Sequence, residues 1–182
     1  MKILVGYFSE TGNTKRVAEA IGEEAKAAGH DVHIEAAGEI TASQLDEYAV
    51  VFLGSTCHSA DVAAPLKSIL DGIPEGSKLK LAGFVTHSTT MPEDGEMQKD
   101  MYERWAGRCP VTFETVGKEK GIDFIGFFHC QGAPSPQIED FIRNNVPNIA
   151  QWDGYFEDVH RHPTPEDIEA ARQFTRDTLE KC

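Results

Sequence analysis

Val5-Gly6-Tyr7-Phe8-Ser9-Glu10-Thr11-Gly12-Asn13-Thr14 is an apolar run that breaks into a hydroxyl-rich turn with one glycine. Behind it Val17, Ile21 and Ala25, with Ala18 and Ala28 beside them, recur at helical spacing. The pattern predicts a strand over Lys2–Phe8, a turn, and a helix over Asn13–Ala28 that Gly29 closes as a C′ residue. A helix start offers N–H groups with no intrahelical partner and a partial positive charge, so this shape suits an anion. Ser9, Thr11 and Thr14 add hydroxyl donors, Gly12 permits close backbone approach, and Asn13 suits a bent turn position or an N-cap. An ordinary capped strand-to-helix turn has the same residue types.

Two better-known phosphate loops are excluded. Walker A needs Gly-Lys-Ser/Thr at the helix start, and here Asn13 follows Gly12. The dinucleotide fingerprint needs three glycines, and this turn has one. Neutral hydroxyls and amides remain, a set suited to a monophosphate held without a metal.

With Ala18 and Ile21 behind it, the Val5–Thr14 stretch resembles the N-terminal signature of flavodoxins, whose loop wraps the phosphate of FMN. Gly6 departs from that signature, standing where the family usually has an apolar or aromatic residue. The resemblance implies FMN as cofactor and Ser9, Glu10, Thr11, Gly12, Asn13 and Thr14 as its phosphate loop.

The rest of the chain alternates strands and helices. Strands are expected at Asp31–Ala36, Tyr48–Ser55, Lys80–Thr86 and Ile122–Phe128, with Tyr48–Ser55 reading as a central parallel strand. Thr41–Asp46 is a short polar bridge with room for one helical turn. Helices are expected from Pro65 as N1, over Glu96–Trp105, and over Val111–Lys120 after an interruption at Gly107 and Pro110. In the tail, Ser135-Pro136 opens a helix carrying Ile138, Phe141 and Ile142. Asn144–Pro163 reads as irregular, and Thr164-Pro165-Glu166-Asp167 starts a last helix reaching Leu179.

Alternating strands and helices imply an α/β, doubly wound three-layer fold with a five-stranded parallel sheet. The flavodoxin-like order is 2-1-3-4-5, in one domain over 1–182 with a helical extension from about residue 133. Ligands of such sheets lie outside the carboxyl ends of strands where the winding reverses, here between the first and third strands. By resemblance, Ser55, Thr56, Cys57 and His58 line one side of the flavin ring, and Thr86, His87, Ser88 and Thr89 the other. Many flavodoxins stack a Trp or Tyr from these loops; here Cys57 or His58 stands near the first such position. Neither loop has an aromatic beyond the two histidines.

Composition narrows the function. Thirty acidic residues against 17 basic give −13 with neutral histidine, which argues against a nucleic-acid partner. An acidic surface suits either docking onto basic patches of redox partners or solubility alone. Four scattered cysteines without CxxC spacing, Cys57, Cys109, Cys130 and Cys182, speak against a zinc site and for a reducing cytoplasm. Met1-Lys2 leads straight into a strand, so no secretory signal is expected, and no run is long enough to span a membrane. His160-Arg161-His162 lacks a third ligand and reads as a surface turn rather than a metal site. Trp105, Trp152 and Tyr155 read as packing, with Trp152 or Tyr155 able to approach the flavin edge.

The expected function is a low-potential FMN electron carrier between redox proteins, monomeric or homodimeric. The alternatives are an FMN-dependent NAD(P)H:quinone or flavin reductase, and a non-redox module that has lost its flavin.

Overall fold

The computed structural model describes residues 1–146 and 154–182. Strands are β1 (Lys2–Phe8), β2 (Asp31–Ala36), β3 (Val50–His58), β4 (Asp61–Val62), β5 (Lys80–His87) and β6 (Asp123–Gln131). Helices are α1 (Asn13–Ala27), α2 (Ala64–Gly72), α3 (Glu96–Trp105), α4 (Arg108–Lys120), α5 (Pro136–Asn145), α6 (Tyr155–Val159) and α7 (Pro165–Leu179). The expected polar bridge forms a 3₁₀ segment, Ala42–Glu47.

The order β2-β1-β3-β5-β6 is the expected 2-1-3-4-5 arrangement, all parallel, with β4 folding back antiparallel on β3. Side chains alternate across the strands and both faces are covered, as a parallel sheet requires. Leu4, Val51, Leu53 and Leu81 join Leu66, Leu70, Phe113 and Val116 on one face. Ile3, Val5, Phe52, Ala82 and Phe84 join Val17, Ile21 and Ala171 on the other. Gly6 has a packing reason, because a Cβ there would stand 2.5 Å from Ile40 Cδ1.

Several boundaries differ from the sequence reading. β3 runs on through Thr56, which pairs with Thr86 of β5, and through Cys57 and His58, which pair back onto Val62 and Asp61. The connecting residues Ser59 (φ 50°) and Ala60 (φ 69°) are both left-handed, the two-residue hairpin geometry usually given to Asn-Gly. α4 begins at Arg108, not Val111; Pro110 lies in its first turn, where its missing N–H has no helical partner to lose. β6 extends to Gln131, and Ile125 is an extra residue between the Leu81–Phe124 and Ala82–Gly126 pairs.

The tail returns to the sheet. α7 packs against α1 and β6, with Phe174 edge-on to Phe52 and stacked on Phe128 at 5.7 Å. Arg172 and Arg176 reach Glu23 and Glu24 of α1. Within Asn144–Pro163, α6 is helical, while Trp152 lies outside the described residues.

Candidate functional site

The carboxyl ends of β1, β3 and β5 open on one edge of the sheet, and their loops surround a cleft of about 300 Å³. The first loop is built around Gly12, the N-cap of α1, in left-handed backbone (φ 89°) that a side chain would strain. Ser9 Oγ accepts from the Gly12 N–H at 3.1 Å and closes the turn. No side chain caps the first turn of α1, so its N–H groups face outward from the helix start. Asn13 Nδ2 donates to Thr11 Oγ1 at 2.9 Å and to the Ala133 carbonyl at 2.8 Å. Thr11 thus accepts with its oxygen and keeps its own proton to donate.

The loop after β5 is held by the tail. Gln131 Nε2 donates to the Thr89 carbonyl at 2.9 Å, Ser88 Oγ to the Gly132 carbonyl at 3.0 Å, and the buried Tyr155 hydroxyl to the Ser88 carbonyl. Gly132 lies against Asn13 and Thr86, where a Cβ would come within 3.2 Å of both. Tyr155 therefore positions a loop of the cleft through its backbone.

Of the residues expected at the site, Glu10, Thr11, Asn13, Thr56, Cys57, His58, Thr86, His87, Ser88 and Thr89 line the cleft. Ser9 and Gly12 shape the turn beside it. Thr14 and Ser55 are buried beneath it: Thr14 Oγ1 shares a 2.8 Å hydrogen bond with Thr86 Oγ1. Ser55 Oγ donates to the Thr56 carbonyl and accepts from the Ala63 N–H. Cys57 and His58 point apart, as neighbours on a strand must. Cys57 Sγ donates to the Trp105 carbonyl at 3.2 Å, whereas His58 Nε2 meets Glu10 Oε2 at 2.6 Å across the cleft rim.

The far wall comes from segments absent from the sequence reading of the site. Trp105, at the end of α3, meets Phe141 of α5 edge-on at 5.8 Å, and Ile138 lies beside them on the cleft. Ile138 and Phe141 remain 44 % and 42 % exposed, so the apolar side of α5 faces the cleft as much as the core. Helical spacing revealed that apolar side, but not what it faces. Trp105 thus brings an aromatic ring to the cleft wall from a distant helix.

Electrostatics follow from burial. His87 is buried, with Nε2 3.1 Å from His129 Nδ1 and its ring edge-on to Tyr102. Burial first, then His129, pushes His87 down to about 3, and burial lowers His129 as well. Both rings are therefore neutral near pH 7, sharing one hydrogen bond. Among the described residues lining the cleft there is no lysine or arginine.

The hairpin is anchored by Asp61, which accepts from the Val62 N–H, from Thr112 Oγ1 and from Lys67 Nζ. Burial pulls its pKa up, but the hydrogen bonds from Thr112, Lys67 and Val62 outweigh it and hold the carboxyl below its usual range. His160 pairs with Glu139 and His162 with Asp167.

The family model for the flavodoxin domain matches residues 4–176. The chain belongs to the flavodoxin family. It is similar, along nearly the whole length of both, to the flavodoxin-like domain-containing protein BilS of Clostridioides difficile (strain CD3). The two are 26 % identical over 190 residues, covering 100 % of this chain and 98 % of that protein. Among solved structures, a flavodoxin from the domain Archaea superposes with a TM-score of 0.63 at 19 % identity, covering 100 % of this chain and 98 % of that one. Oxidised flavodoxin 1 from Bacillus cereus superposes with a TM-score of 0.66 at 15 % identity, covering 100 % and 99 %.

The family implies FMN, and the residues present fit it on two observations. The first turn of α1 has no side-chain cap and adjoins the Thr11 hydroxyl, as a phosphate requires. Three buried polar atoms of cleft residues, His87 Nδ1, Thr89 Oγ1 and Trp105 Nε1, have no partner among the described residues, and a bound polar ring would offer partners at this wall. No helix among the described residues is long and apolar enough to cross a membrane.

Proposed function

We propose that the protein binds FMN in this cleft and carries electrons between redox proteins at low potential. The uncapped start of α1, closed by left-handed Gly12 at the switch point of the sheet, is the observation that carries this reading. Bound flavin supplies the redox chemistry. Thr11, Asn13 and the first-turn N–H groups hold its phosphate, while Thr56–His58 and Thr86–Thr89 flank its ring. His87 is kept neutral by burial and offers no positive charge to a reduced ring. With no lysine or arginine among the described lining residues, a ring that gains negative charge meets no counter-cation, which lowers its potential. The net charge of −13 favours partners with basic docking patches. We read residues 1–182 as one cytoplasmic domain whose tail completes the site.

The second reading is an FMN-dependent NAD(P)H:quinone or flavin reductase. The wall of Trp105, Ile138 and Phe141 favours it, because a planar apolar substrate can lie against that wall from solvent. Stepwise anaerobic reduction of the FMN-loaded protein, paired with a nicotinamide-driven quinone assay, separates the two. A carrier shows two resolved one-electron steps and only background quinone turnover. A single two-electron step with sustained turnover assigns the reductase.

A further inference from the structure

Behind the cleft wall a second thiol, Cys109, stands against Cys57, and flavin binding makes no use of their pairing. Cys57 of β3 and Cys109 in the first turn of α4 are 52 positions apart in sequence, yet their sulfurs lie 3.5 Å apart. Cys109 Sγ–H donates to Cys57 Sγ, and Cys57 Sγ–H donates to the Trp105 carbonyl at 3.2 Å. The Cys57 proton therefore points away from Cys109. The two residues differ in access: Cys57 is half-buried and lines the cleft, whereas Cys109 is fully buried. The anchoring of the β3–β4 hairpin holds them together, since the Ala60 carbonyl accepts from the Arg108 N–H and lies 3.7 Å from Cys109 Sγ, a second acceptor for its one proton.

We propose that Cys57 and Cys109 form a reversible dithiol–disulfide couple in the wall of the cleft, oxidised by small disulfides of the glutathione class. A solvent-borne disulfide can reach only Cys57 of the two. The Cys57 thiolate attacks one sulfur of the oxidant, forming a mixed disulfide and expelling a thiolate that takes up the Cys57 proton. Cys109 then loses its proton to solvent and attacks Cys57 Sγ, and the second small thiol leaves, protonated. Two protein thiols are oxidised, and one small disulfide is reduced to two thiols. Closing the bond needs a sulfur displacement of about 1.5 Å, from 3.5 Å to the disulfide length of about 2.05 Å. The second step is the slower one, because the hydrogen bond to Cys57 and burial both hold the Cys109 thiol well above its ordinary pKa.

The bridge removes the Cys57 hydrogen bond to Trp105 and ties α4 to the hairpin, both at the cleft wall. That this wall belongs to a flavin site rests on the function proposed above; bridge formation itself does not.

The test uses the full chain with Cys182→Ser, which removes the exposed thiol. The protein is equilibrated in buffers of rising oxidised-to-reduced glutathione ratio and quenched with N-ethylmaleimide. It is then read by intact mass and peptide mapping, with no flavin present. The expected result is the joint loss of two thiols, with the Cys57 peptide linked to the Cys109 peptide. Adding Cys109→Ser should leave a glutathione adduct on Cys57, and adding Cys57→Ser should leave Cys109 unmodified. A Cys109-intact protein that stops at the Cys57 adduct, or stays fully reduced throughout, overturns the proposal.

Discussion

At the scale of single residues, the proposed function gives Thr11 the binding of an anion and His87 the neutrality of the cleft. Thr11 accepts from Asn13 and keeps a proton for a ligand, and a hydrogen bond to a charged group is worth about 1.5–3 kcal/mol. Thr11→Ala should weaken FMN binding about tenfold to a hundredfold in a fluorescence titration; unchanged affinity would remove this loop from the site. His87 sits at about 3 in the folded chain against an ordinary value of 6.5, so between these values the unfolded chain binds more protons. Stability should rise with pH through that window and be lost as pH falls, with a slope of about 1.4 kcal/mol per pH unit from His87 alone. Urea midpoints at several pH values check this, and His87→Asn should flatten the dependence. The hydroxyl loop, Cys57-His58 and Thr86–Thr89 were legible in sequence because strand ends and turn residues mark themselves locally. That Thr14 and Ser55 lie beneath the cleft was not legible, since it depends on contacts with Thr86 and Ala63 that only the packed sheet creates. Trp105 was hidden for a related reason, because nothing in the sequence around it signals what its ring faces.

At the scale of elements, the β3–β4 hairpin was hidden in the sequence, whereas α7 was legible as a helix and only its partner was not. A hairpin turn with two left-handed residues is expected to read Asn-Gly, and here it reads Ser59-Ala60. Left-handed backbone at Ala60 costs about 1–2 kcal/mol, so Ala60→Gly should stabilise the fold by about 1 kcal/mol, seen as a higher urea midpoint. A lower midpoint would mean that the Ala60 methyl contributes packing worth more than the strain. Asp61, Thr112 and Lys67 hold this turn in place, and they belong to three separate elements. No local pattern could announce that cluster. α7 announced its own ends through Thr164-Pro165 and the Asp167 capping box, but not its partner. Its Phe174 lies between Phe52 and Phe128, so Phe174→Ala should cost about 2–3 kcal/mol. A loss under about 0.5 kcal/mol would show that α7 is not part of the cooperative fold.

At the scale of the whole molecule, a doubly wound sheet brings three loops distant in sequence to one edge, and the tail supplies the wall opposite them. That the sheet is parallel and doubly wound was readable from the alternation of strands and helices, whereas its order came from the resemblance to flavodoxins. The wall was not readable, because α5 has an ordinary amphipathic pattern whether its apolar side meets a core or a cleft. The acidic surface is a property of the whole chain and should act at long range. Electron transfer from the reduced protein to a basic cytochrome c should slow several-fold as ionic strength rises and the screening length falls from about 10 Å at 0.1 M to about 3 Å at 1 M. A rate independent of salt would assign the charge to solubility alone. The central claim is that the cleft holds one FMN by its phosphate, and the most direct measurement is a fluorescence titration of the flavin-free protein with FMN and, in parallel, with riboflavin. The account predicts saturable quenching at one FMN per chain, with riboflavin, which lacks the phosphate, bound at least about tenfold more weakly. Equal affinity for the two, or no binding of either, would contradict it.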